Sequence, residues 1–102
     1  MEWEIQNKDI DKLYKTGKSK KYRLQPQIVK KFFMRLQQIE AAGTIHDLWK
    51  TPSLNFEYLK SKKIYSIRVD QGYRIEFDIQ WKNEEKTIGK FIIKEISKHY
   101  GD

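Results

Sequence analysis

The chain has 102 residues, 38% of them apolar and 14% aromatic, which suits one domain with one modest core and excludes a disordered chain. Lysine and arginine number 21 against 14 aspartate and glutamate, giving +7 and a pI near 9.5, a balance that favours an anionic partner, nucleic acid or an acidic protein. Cysteine is absent, which removes disulfides and thiolate metal sites, and no apolar run approaches the roughly 20 residues of a membrane helix. The polar start MEWEIQNKD shows no signal-peptide pattern, so the expected location is the cytoplasm.

Trp3 and Ile5 alternate with Glu2, Glu4 and Gln6, which predicts a short first strand. Asn7 is a good helix N-cap, Asp9 supplies an acid in the first turn, and Ile10, Leu13 and Tyr14 follow at helical spacing until Gly17 ends the helix. Residues 18–25, KSKKYRLQ, form a basic connector; Lys18, Lys20, Lys21 and Arg23 can touch phosphates, although a charge run is ordinarily a solvated loop. Gln25-Pro26 opens a second helix with proline where its missing N–H does least harm. Ile28, Phe32, Leu36 and Ile39 form its apolar stripe, flanked by Val29 and Phe33, with Lys30, Lys31, Arg35 and Gln38 opposite. Thr44 can cap one further turn, IHDLW.

Residues 54–59 read as a strand with Phe56 and Tyr58 on one side and Asn55 and Glu57 on the other. After the loop Lys60-Ser61-Lys62-Lys63 comes the longest alternation of the chain. Tyr65, Ile67 and Val69, then Tyr73, Ile75, Phe77, Ile79 and Trp81, form one oily face, and the even-numbered set places Arg68 and Arg74 opposite. Asp70-Gln71-Gly72 is the hairpin connection. Residues 82–86 make a second turn, and residues 87–96 are apolar on both faces, as in a central strand. The order strand, helix, helix and four strands predicts an α+β domain, 1–102, with two N-terminal helices on a curved, mainly antiparallel sheet.

The two histidines, His46 and His99, have no ligand-like spacing, so no metal or other cofactor is expected, and no glycine-rich phosphate loop is present. The remaining set is Glu57, Lys60, Lys62, Lys63, Arg68, Arg74, Lys98, His99 and Tyr100. It suits RNA cleavage by the substrate's own 2′-hydroxyl, which needs a base, an acid and cations for the phosphorane charge. Each proton role contributes about 10²–10⁴ in rate. Histidine or glutamate fills a proton role, tyrosine stacks or donates, and arginine, which keeps its proton, clamps. The bland alternative pairs Arg68 and Arg74 with Glu76 and Asp78 across the polar face and makes Glu57 a salt-bridge partner. On residues alone, a basic RNA- or protein-binding module stands level with an enzyme.

Four stretches resemble the RelE/ParE superfamily of bacterial type II toxins, most closely its HigB-like branch. They are IDKLYKTGKSKKYRL, IHDLW, NFEYLKSKKIYSIRVDQGYRIEF and KEISKHYGD. The resemblance implies a toxin that cleaves mRNA on the translating 70S ribosome without metal and is neutralised by a cognate antitoxin. That antitoxin would be a HigA-like helix-turn-helix protein, which alone would touch operator DNA. Arg74 stands at the sheet arginine of a GYRI-type motif, Arg68 at the arginine of the preceding strand and Lys60 at a family lysine. Glu57 replaces a histidine of the best-known HigB-like toxins, and Lys98-His99-Tyr100 departs from the common Asp-Tyr-His ending. The resulting expectation is Glu57 or His99 as base, Tyr100 stacking or assisting the acid, and Lys60, Lys62, Lys63 and Lys98 on the RNA. The alternatives are a ParE-like inhibitor of DNA gyrase that binds protein without cutting RNA, and an inactive relative acting as co-repressor with its antitoxin.

Overall fold

A computed structural model describes residues 1–98; the candidate residues His99 and Tyr100 lie outside the described residues. The elements run β1 (Trp3–Ile5), α1 (Lys8–Thr16), α2 (Pro26–Ala41), α3 (Ile45–Trp49), a 3-10 turn (Pro52–Leu54), β2 (Glu57–Leu59), β3 (Ile64–Arg68), β4 (Tyr73–Trp81) and β5 (Gly89–Lys98). The α+β class holds, with two differences from expectation. Three α-helices are present among the described residues, because the IHDLW turn closes as α3. The sheet, ordered β1-β5-β4-β3-β2, is mixed: β1 pairs parallel to β5, while every other pairing is antiparallel. Alternation tells which face a residue takes but not which way its strand runs, so the direction of β1 was not readable from its pattern.

The helix ends follow from their caps. Asn7 Oδ1 accepts the N–H groups of Asp9 and Ile10 at 3.0 and 3.2 Å, and Gly17 at φ 77° donates its N–H to the Leu13 carbonyl at 2.7 Å. Asp47 accepts the N–H groups of Gly43 and Thr44 at the head of α3, and these bonds hold its carboxyl below the usual range. The strand expected over residues 54–59 shortens to β2 because Leu54 ends the 3-10 turn and Asn55 takes a left-handed φ of 42°. Asparagine is one of the few side chains that tolerates this.

One face of the sheet lies against the helices. Ile10, Leu13, Phe32, Leu36 and Ile39 meet Ile67, Ile75, Phe77, Phe91 and Ile93 in a single buried cluster. Phe77 stacks on Phe91 with centroids 4.7 Å apart. β5 is an interior strand, as expected, but its oily positions reach the core by a bulge. Glu76 faces Glu95 while Phe77 faces Ile93, so Lys94 is the extra residue and both Ile93 and Ile96 point to the helices. Ile92 remains on the far face, also buried. Gly89 sits where any side chain would collide, since a Cβ there would stand 2.5 Å from Ile79 Cγ2 and 2.9 Å from the Gln80 carbonyl oxygen.

Candidate functional site

The second face of the sheet carries the even-numbered positions of the hairpin. Arg68 and Arg74 are register partners on β3 and β4, and Arg74 faces Ser97 on β5. Arg74 is not an open cation: the residue is 3% exposed. Its Nε donates to Ser66 Oγ at 2.9 Å and its Nη2 to the Asn55 carbonyl at 2.7 Å, with Glu57 Oε2 3.3 Å away. The register explains this. Glu57 on β2 faces Ser66 on β3, which faces Glu76 on β4, so β2 brings a carboxylate to the arginine from the side. The left-handed turn at Asn55 aims its carbonyl at the same guanidinium. The pairing of Arg74 with Glu76 or Asp78 is thus replaced by Glu57, whose side chain is 42% exposed and meets solvent on its other side.

Glu76, 5% exposed, is met by Lys62 from the β2–β3 turn at 3.0 and 3.3 Å. Lys60 and Lys63 are exposed at the same turn, Lys63 with a left-handed φ of 54°. Arg68 is half-buried and lies near Arg35 of α2, whose guanidinium donates to the Val69 carbonyl at 3.2 Å. Burial and, after it, the Arg68 charge hold the Arg35 pKa below its usual value.

A cleft of about 540 Å³ opens between the α1–α2 connector, the β2–β3 turn and the last residues of β5. Lys21, Arg23, Lys62 and Lys98 line it together with Glu95 and Ser97. Tyr22 is 7% exposed, and its hydroxyl donates to Glu95 Oε1 and accepts from Asn7 Nδ2 at 3.1 Å. Burial first, and then the Glu95 carboxylate, push the Tyr22 phenol well above its ordinary range. Among the described residues no group of three or more metal-ligating side chains converges. A second groove, about 500 Å³ between α1, α2 and β1, is lined by Trp3, Tyr14 and Phe33 and gathers little charge.

The candidates therefore divide. Glu57 and Arg74 meet, Lys62 reaches the same face through Glu76, and Lys98 lies in the neighbouring cleft. Lys60 is exposed on the β2–β3 turn, Lys63 lines a separate groove with Tyr58, Tyr65 and Asp78, and Arg68 lies near Arg35 of α2. Tyr22, Asn55, Ser66 and Glu95 were not anticipated. For Tyr22 a signal existed, an aromatic ring in the middle of a charge run; for Asn55, which acts through its carbonyl, there was none.

A small mixed sheet with helices on one face and a charged, partly buried opposite face defines a RelE-like toxin scaffold when set beside the sequence comparison. The family described as the RelE-like toxin of the type II toxin–antitoxin system HigB matches residues 3–91. The chain belongs to this HigB-like toxin family. Membership in a type II system implies a cognate antitoxin as partner. The match spans β1 to the start of β5 and ends before Lys98-His99-Tyr100. A search of individually curated proteins found no match. No helix among the described residues is long and apolar enough to cross a membrane.

Proposed function

We propose that this chain is the ribosome-dependent, metal-free mRNA endoribonuclease of its toxin–antitoxin pair and acts in the cytoplasm. The observation that carries the reading is the Arg74–Glu57 pair, a fixed guanidinium beside a half-exposed carboxylate, within a family of toxins. In the resting protein each neutralises the other. An RNA phosphate arriving at Arg74 competes for the guanidinium and leaves Glu57 able to accept a proton. Glu57, or His99, takes the proton of the 2′-hydroxyl; the 2′ oxygen bonds to phosphorus as the bond to the 5′ oxygen breaks. An acid, with Tyr100 assisting or stacking on a base, returns a proton to the 5′ oxygen. The products are a 2′,3′-cyclic phosphate and a 5′-hydroxyl. Arg74 and Arg68 meet the phosphorane charge, worth a factor of about 10²–10³ for a positioned donor. Lys60, Lys62, Lys63 and Lys98 hold flanking phosphates. A site this shallow leaves placement of the mRNA to the ribosome. The antitoxin is of the HigA-like helix-turn-helix type and carries any contact with operator DNA.

The burial of Arg74 favours a second reading. An arginine held by Ser66, Asn55 and Glu57 also serves as a strut, as a ParE-like gyrase inhibitor with no RNA chemistry would use it. Primer extension on mRNA after brief expression separates the two. Discrete, codon-registered cuts are expected, absent when His99 and Tyr100 are both replaced by alanine. Intact mRNA with gyrase-arrested DNA would replace the nuclease reading with the second one, and full toxicity of the double variant would remove His99 and Tyr100 from the mechanism.

A further inference from the structure

The connector between α1 and α2 is a basic loop that would ordinarily lie free in solvent. Here its central residue is inserted into the body of the domain. The Tyr22 ring is buried, its hydroxyl bridges Glu95 and Asn7, and Asn7 also donates to the Lys94 carbonyl at 3.1 Å. The loop is braced internally as well: Ser19 Oγ accepts the Tyr22 N–H at 3.2 Å, and Arg23 Nε donates to the Lys20 carbonyl at 3.3 Å. Residues on either side of this anchor, Lys21 and Arg23, consequently line the same cleft as Lys62 and Lys98, which come from two other elements. Among the described residues the cleft has one carboxylate, Glu95, and that carboxylate is already occupied by Tyr22 and by the Ile96 N–H at 3.1 Å. Four cations thus converge from three elements upon this concavity; Lys62 is paired with Glu76, and the one lining acid among the described residues, Glu95, is engaged by Tyr22.

From this we infer that the α1–α2 connector is the second wall of the RNA path: Lys21 and Arg23 bind backbone phosphates of the single-stranded substrate, and Tyr22 is the positioning residue that holds them over the cleft through Glu95. The inference rests on the nuclease reading for its ligand and adds to it a subsite on a different element. Glu95 serves in it as the anchor. Lysine and arginine flanking a buried ring give the loop its direction; the same charges on an unanchored loop would sample many positions and lose entropy on binding.

The test is a salt titration of a single-stranded RNA of about 12 nucleotides binding to the purified chain. Each phosphate neutralised in a single strand contributes about 0.7 to the slope of log affinity against log salt. Lys21→Ala with Arg23→Ala should lower that slope by about 1.4 and weaken binding roughly tenfold at about 50 mM salt. Tyr22→Phe, which keeps the ring, should weaken binding about threefold in the parent and have no effect in the Lys21→Ala, Arg23→Ala background, because contacts acting through one another are not additive. An unchanged slope in the double variant overturns the inference, as does a Tyr22→Phe loss that persists in full without the two cations. Should Tyr22→Phe fail to fold, the surface double variant decides alone. If mRNA is cut by the parent while the slope does not move, only this subsite is wrong; if mRNA stays intact, the nuclease reading itself is wrong.

Discussion

The two faces of the sheet are both closed at their centres, by opposite means. On the helix side Ile67, Ile75, Phe77 and Phe91 are fully buried among apolar neighbours. On the other side Ser66, Arg74 and Glu76 are nearly as inaccessible, yet they are held by Asn55, Glu57 and Lys62 through hydrogen bonds and ion pairs. Apolar packing holds no ion pair for salt to screen and has no partner to exchange. An ion-paired face can trade one anion for another, a carboxylate for a phosphate, without opening the fold. The face that can bind is therefore one that is satisfied in its absence, and its guanidinium is preformed at the cost of being guarded.

The largest effect should come from breaking the apolar face. Phe77→Ala removes a fully buried ring that touches Phe56, Tyr65 and Phe91, and should lower unfolding free energy by about 3–5 kcal/mol, with no change in the salt dependence of stability. Urea denaturation at low and high salt measures both. The charged face should break more gently. Arg74→Ala leaves the buried Ser66 hydroxyl and Asn55 carbonyl without this donor, while Glu57 is free to turn to water. Since that partner is 42% exposed, the loss should be about 2 kcal/mol, below the range for a wholly buried pair. The same variant should abolish mRNA cutting at temperatures where it remains folded. Retained cutting would make Arg74 a strut.

The elements that local chemistry specifies were legible in the sequence: the Asn7 and Gly17 caps, the α2 stripe and the alternating hairpin with Ile67, Ile75 and Phe77 inward. Each is decided within a few residues. What was not legible depends on distant partners. The direction of β1 is set by β5, the bulge at Lys94 by the register with β4, and the burial of Arg74 by a backbone carbonyl 19 positions away. The candidate site shares that division. Glu57 and Arg74 were recognisable as residue types, but their mutual contact required a β2 only three residues long. The Tyr22–Glu95 anchor joins positions 73 apart, a distance at which neither periodicity nor a charge run carries information.

That anchor supplies the smallest and most specific effect, a pH dependence set by a buried phenol that donates to a carboxylate. The Tyr22 phenol is held above its ordinary value of 10.0, by burial and then by the Glu95 carboxylate to which it donates. In the unfolded chain the phenol ionises near its ordinary value; in the folded chain it keeps its proton to higher pH. Over that interval the folded state binds more protons, so stability must fall as pH rises. The contribution is complete below about pH 10 and is lost progressively as pH rises toward the folded value. Tyr65, raised in the same direction by burial, adds a parallel loss. The informative quantity is therefore the difference between the parent chain and Tyr22→Phe. Urea midpoints measured from about pH 8 to pH 11 should fall more steeply in the parent, the two curves converging as pH rises. Parallel curves would mean that the hydroxyl does not hold its proton for Glu95, and the connector would then be fixed to the sheet by the ring alone.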